Sequence, residues 1–193
     1  MNAALRLSWY KFKHHYMDFV KVLLGIVAFE GLILYIQDKG FLKDFETTRM
    51  TLFLLLFSTS LLIVVQNSIY ISKERSVLNR DFFSGLSRSA FALASMGIHA
   101  FFAVLETIVF ILSYSVFSKF FDKEFPDAGH IFGSYRWEVG ITVLLVFLAS
   151  HFIALFISAL VGKSEITSVI LAVVVGIMPV SYTHLTLPTN SRV

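Results

Sequence analysis

The chain has 193 residues, 56% hydrophobic and 15% charged, with 21 phenylalanines and no cysteine. Soluble domains carry roughly 25% charged residues, so a mean hydropathy of +0.76 excludes a water-soluble enzyme, a nucleic-acid module and a disordered tail, and the missing cysteines exclude disulfides, thiolate metal sites and a cysteine nucleophile. The formal net charge of +3 acquires meaning only from where the basic residues fall along the chain.

Residues 4–19 precede the first long apolar run. Leu5, Trp9, Phe12, Tyr16 and Phe19 recur at spacings of four and three, which stacks them on one helical face. Lys11, His14 and Asp18 take the opposite face. That division predicts an amphipathic helix lying in the headgroup plane, with a cytosolic helix packed on a partner as the other reading. No small-residue cleavage site follows, so no cleavable signal peptide is expected.

A membrane-crossing helix needs about 20 mostly apolar residues, and runs of that kind fill 20–36, 50–71, 91–117 and 137–161, with a shorter one at 166–179. They are long, unbroken and free of the alternation of a membrane barrel. The expected fold is therefore all-α, a polytopic transmembrane helical bundle with five spans present and the fifth truncated. The first span carries Glu30. In the second, Leu55, Thr59, Leu62 and Gln66 share one face, and Ser58, Thr59 and Ser60 make its middle polar. The third carries His99, Glu106 and Ser113, seven apart and so in one stripe; the fourth carries His151. A carboxyl at bilayer depth costs at least about 2.5 kcal/mol. Glu30 and Glu106 therefore mark a substrate or proton path, stay protonated because desolvation disfavours the charged form, or pair with a histidine to tie helices together.

Between the second and third spans lies SKERSVLNRDFFSGLSRSAF, residues 72–91. It reads as a short charged helix, a stop at Gly85, which suits a position needing positive φ, and a restart capped by Ser87 or Ser89. The loop 118–136 has room for a short interfacial helix but specifies no ligand. Gly162-Lys163-Ser164 imitates the end of a phosphate-binding loop, yet the glycine required five positions earlier is Ile157. No metal-ligand spacing and no nucleophile elbow occurs, so no catalytic site is expected in this chain.

The N-terminal segment, the loop 72–91 and Lys163 carry nine Lys and Arg; the other two loops carry six, with most of the acidic residues. By the positive-inside rule the N-terminus is cytoplasmic, and the expected location is the plasma membrane of a bacterium.

Glu74-Arg75, Arg80-Asp81 and Gly85-Leu86-Ser87, followed by an apolar span, resemble the first cytoplasmic loop of permeases of ATP-binding-cassette exporters of the type-2, ABCG-like class. The order of elements agrees over Leu5 to Pro179: an interfacial helix, two spans, a cytoplasmic helix, two more spans, and a fifth ending at Met178-Pro179. The resemblance implies that Lys73, Glu74, Arg75, Arg80, Asp81 and Gly85 form a loop coupled to an ATPase subunit or domain. It also implies that Leu55, Thr59, Leu62 and Gln66 line a substrate path, that two permease copies pair in the bilayer, and that ATP is bound only by the partner. The competing readings are a solvated loop that merely sets topology, small hydroxyl residues that pack helices, a proton-coupled carrier using Glu30 and Glu106, and a structural membrane protein.

The segment 180–189, VSYTHLTLPT, resembles the in-frame translation of a transposase-type sequencing adapter. Residues 180–193 are accordingly expected to be non-native, with residues 1–179 an incomplete permease domain whose sixth span lies beyond; a genuine short tail is the other reading. Residues 166–179 alone make a helix of roughly 21 Å, too short to cross the hydrocarbon core.

Overall fold

The computed structural model describes residues 9–10, 13, 16–37, 45–122, 133–161 and 164–185. Most of the amphipathic segment 4–19, the greater part of the loops after the first and third spans, Lys163 and the end of the tail lie outside them. Among the described residues the regular elements are all helices: α1 (Tyr16–Ile36), α2 (Phe45–Asn67), α3 (Tyr70–Phe83), α4 (Arg88–Phe120), α5 (Tyr135–Leu160) and α6 (Glu165–Leu185). By length and composition α1, the stretch Thr47–Phe83, α4 and α5 can each cross a membrane, whereas the apolar part of α6, Glu165–Met178, is shorter.

α1 packs on α2 and α4, and α5 packs on the same two, so the four close into a ring. Its core is Val22, Ile26, Ile33 and Leu34 of α1, Leu55 and Ile63 of α2, Ala103 and Phe110 of α4, and Val143 and Phe147 of α5. Phe110 and Phe147 meet edge to face at 5.7 Å in the middle of it. α6 lies outside the ring on α2 and α5, where Val64, Ile157, Val161 and Ala172 form a second cluster. The outward faces carry exposed Leu24, Leu32, Leu93, Leu112, Leu145 and Phe156, an apolar coat suited to lipid rather than water.

Hydroxyl residues live in these apolar helices by bonding to their own backbone. Thr51, Thr59, Thr107, Ser115 and Ser150 each donate to the carbonyl four residues back at 2.7–2.8 Å.

The second span ends earlier than its apolar run. Asn67 and Ser68 turn their side chains back onto the carbonyls of Ile63 and Val65, the chain leaves the helix at residues 68–69, and Tyr70 and Ile71 start α3 instead. At the other end of α3 the stop falls where the glycine stands. Gly85 has φ +100°, and Gly85 N–H and Leu86 N–H donate to the carbonyls of Phe82 and Asp81 at 3.1 Å. Those two bonds make a Schellman closure around a left-handed residue. Ser87 then caps α4, its hydroxyl accepting from Ala90 N–H at 3.1 Å. α6 continues through Pro179 to Leu185, six residues past the apolar run.

Candidate functional site

α3 is short and charged; it packs most closely on α5 and α6, while Tyr70 and Phe82 touch His99 and Phe91 of α4. Every helix leaves its first N–H groups and last carbonyls without intrahelical partners. Here two helix ends satisfy each other. Ser158 of α5, fully buried, accepts hydrogen bonds from Ile71 N–H at 2.8 Å and Ser72 N–H at 3.1 Å. In return Arg75 Nη1 donates to the carbonyls of Ala159, at 3.2 Å, and Val161 at the C-terminus of α5. A cation there also complements the negative end of the α5 dipole. Leu78 is buried beneath α3, so one face is anchored while Lys73, Val77, Arg80 and Phe83 remain exposed. Phe83 is 94% exposed.

Of the six loop residues marked in the sequence, Arg75 therefore turns inward to α5, Arg80 and Lys73 face out, Gly85 closes the helix, and Asp81 is half-buried. Lys73 reaches toward Asp18 of α1 at 4.0 Å, and Asp18 also holds Lys21 at 2.9 Å. Glu74 and Lys73 border a cavity of about 80 Å³ that runs in beside Asp18, Gln66, Asn67 and Tyr70 to His99.

His99, in the wall of that cavity, belongs to a buried chain of ionisable groups. His99 and His151 approach Nδ1 to Nδ1 at 3.0 Å, and His151 Nε2 lies 2.8 Å from Glu106 Oε2. All three residues are fully buried. Tyr70 stands edge-on to the His99 ring at 4.8 Å. Among the described residues, the buried atoms His99 Nε2 and Glu106 Oε1 have no hydrogen-bond partner. Further along the α4 stripe, Ser113 donates to Glu30 Oε2 of α1. The α4 stripe thus meets a partner on α5 at one level and on α1 at the other.

The four residues marked on the α2 face differ in their surroundings. Leu55 and Thr59 are buried inside the ring, and the Thr59 hydroxyl is spent on the Leu55 carbonyl. Leu62 packs where a Cβ on Gly25 would sit only 2.5 Å from its Cδ2. Gln66 borders the cavity beside His99, and Leu55 borders another beside Tyr114 and Thr142.

Ser158 escaped sequence reasoning because a serine in an apolar helix reads as a small packing residue. The signal that finds it is register: Ser158 lies seven residues after His151, the same spacing that marks His99, Glu106 and Ser113 on α4.

A family model described as ABC-2 type transporter matches residues 6–181, from the N-terminal segment through most of α6. No curated protein and no solved structure matches the chain.

Proposed function

As this chain belongs to the ABC-2 type transporter family and is the transmembrane component of such a transporter, we propose that α3 receives the movement of an ATP-hydrolysing partner and hands it to α5, driving export. The observation that supports this is the reciprocal capping of α3 and α5 by Ser158 and Arg75. A helix bonded end to end with a transmembrane helix carries a rigid-body displacement into the bilayer, whereas a solvated loop would dissipate it. The outward residues Lys73, Arg80 and Phe83 offer charge and an uncovered aromatic ring to the partner. ATP binds on that partner and not on this chain. Two copies flank the substrate, which passes between them. The α3 side faces the cytoplasm of a bacterium, in keeping with its excess of basic residues.

Detergent extraction of the full chain from its native membrane, followed by affinity purification and an ATPase assay, tests this. The reading requires co-recovery of an ATP-hydrolysing subunit, or a fused one, and its loss of coupling or retention when Arg80→Glu is combined with Asp81→Lys. A chain that purifies with no nucleotide hydrolysis would overturn it.

A further inference from the structure

We propose that the groove between α3, α4 and α5 binds one anionic phospholipid from the leaflet on the α3 side, with its phosphate at Arg88 and one acyl chain laid along α4 and α5. The groove holds about 440 Å³, within the roughly 300–1,000 Å³ of ligand clefts. α3 turns to it the side that carries Arg75 and Asn79, α4 the side of Arg88 and Met96, and α5 the side of Phe152 and Phe156. Both charged members of the wall are basic, Arg75 and Arg88. The acids of α3, Glu74 and Asp81, stand seven apart on another stripe of that helix, and neither lines the groove. Arg75 is already bonded to the carbonyls that end α5. Arg88 is exposed and has no carboxylate partner among the described residues. Its guanidinium lies 5.7 Å from the centre of the Phe82 ring.

Polarity along the groove changes with depth. Arg88 opens α4, and Met96 lies eight residues further on, about 12 Å deeper at 1.5 Å per residue. Phe152 lies eight residues before the end of α5 at Leu160, which is again about 12 Å. The cation is therefore at the helix ends and the apolar side chains are inside the spans. Met96, Phe152 and Phe156 are 45%, 36% and 63% exposed, so the deep part of the groove opens sideways toward the bilayer. A soluble partner reaches the rim but not these residues. A neutral lipid matches the deep part but brings no net charge to Arg88. An anionic phospholipid matches both, since a guanidinium takes a phosphate through paired hydrogen bonds and basic pockets between transmembrane helices hold such headgroups.

The test needs no transport partner. The full chain is reconstituted in phosphatidylcholine vesicles that contain a minor share of either brominated phosphatidylglycerol or, in a parallel series, brominated phosphatidylcholine. Trp9 and Trp137, the two native tryptophans, are replaced by Phe, and Phe152→Trp puts an indole in the groove, where a bromine on a bound acyl chain quenches its fluorescence. The ratio of quenching by the two lipids gives their relative affinity. A cation near the membrane surface favours an anionic lipid about fivefold, so phosphatidylglycerol should lead by about that factor or more. The lead should fall to about one in Arg88→Gln and survive in Arg88→Lys, which keeps the charge. A Leu24→Trp reporter, exposed on α1 across the ring from α5, should not respond to Arg88→Gln. Equal quenching by the two lipids at Phe152→Trp, a lead that Arg88→Gln leaves intact, or an equal response at Leu24→Trp would each overturn the proposal. So would a groove reporter that neither lipid quenches, the result expected if a second copy of the chain or another subunit covers the groove.

Discussion

Replacing Ser158 with alanine should loosen the first turn of α3 from the end of α5 while leaving both helices formed. The Ser158 oxygen serves two backbone donors, Ile71 and Ser72. Ser158 is 0% and Ser72 3% exposed, so water cannot take over both bonds. Loss of a capping hydroxyl costs about 1 kcal/mol, and a buried donor left bare about 1–3 kcal/mol. Ile71 is half-buried and recovers part of its loss from solvent, which places the local cost at about 1–2 kcal/mol. That energy corresponds to a rise of about 5–30-fold in the open population, readable as faster hydrogen exchange at the Ile71 and Ser72 amides with the amides around Phe110 unchanged. Arg75→Met keeps the aliphatic stem and removes the donor to Ala159 and Val161, a charge-assisted loss of about 1.5–3 kcal/mol. Because both contacts hold one junction, the double variant should fall short of the summed losses by at least about 0.5 kcal/mol. Exchange at Ile71 and Ser72 equal to that of the native chain, or strictly additive losses, would refute a shared junction.

Two glycines should respond in opposite directions. Gly85 has φ +100° and nothing within 4 Å of a built Cβ, so Gly85→Ala pays only for the left-handed backbone, about 1–2 kcal/mol; Gly97→Ala, equally uncrowded but inside α4, should gain about 0.8–1 kcal/mol, and thermal unfolding of the purified chain reports both. At the other polar level, Ser113→Ala strips the buried Glu30 carboxyl of the donor on one oxygen when the other, Oε1, already has none. It should cost about 1–3 kcal/mol in the same unfolding assay, and more than Glu30→Gln, which keeps an acceptor for the serine.

The spans and the turn chemistry around Gly85 were legible because both are local: hydropathy is summed along the chain, and a left-handed residue followed by a capping serine needs no distant partner. The α4 stripe was legible for the same reason, since its seven-residue spacing is a property of one helix. What met the stripe was not. His151 and Glu30 stand on different helices, and only the ring closure brings α5 to Glu106 and α1 to Ser113. Arg75 read as one of a set of outward charges, and its inward turn depends on where the carbonyls of Ala159 and Val161 finish. The α2 residues fall on one side of their helix by spacing, but periodicity does not say whether that side faces a path or the interior of the same chain. The end of α2 moved because Asn67 and Ser68 compete for backbone carbonyls, a side-chain effect invisible to hydropathy.

The pairing of Glu30 with Ser113 also has a history in time. The two residues are 83 positions apart, and at a synthesis rate of about 5–20 residues per second the carboxyl of α1 is made roughly 4–17 s before its partner. Until α4 is made, the carboxyl of α1 has no Ser113 hydroxyl from which to accept a hydrogen bond.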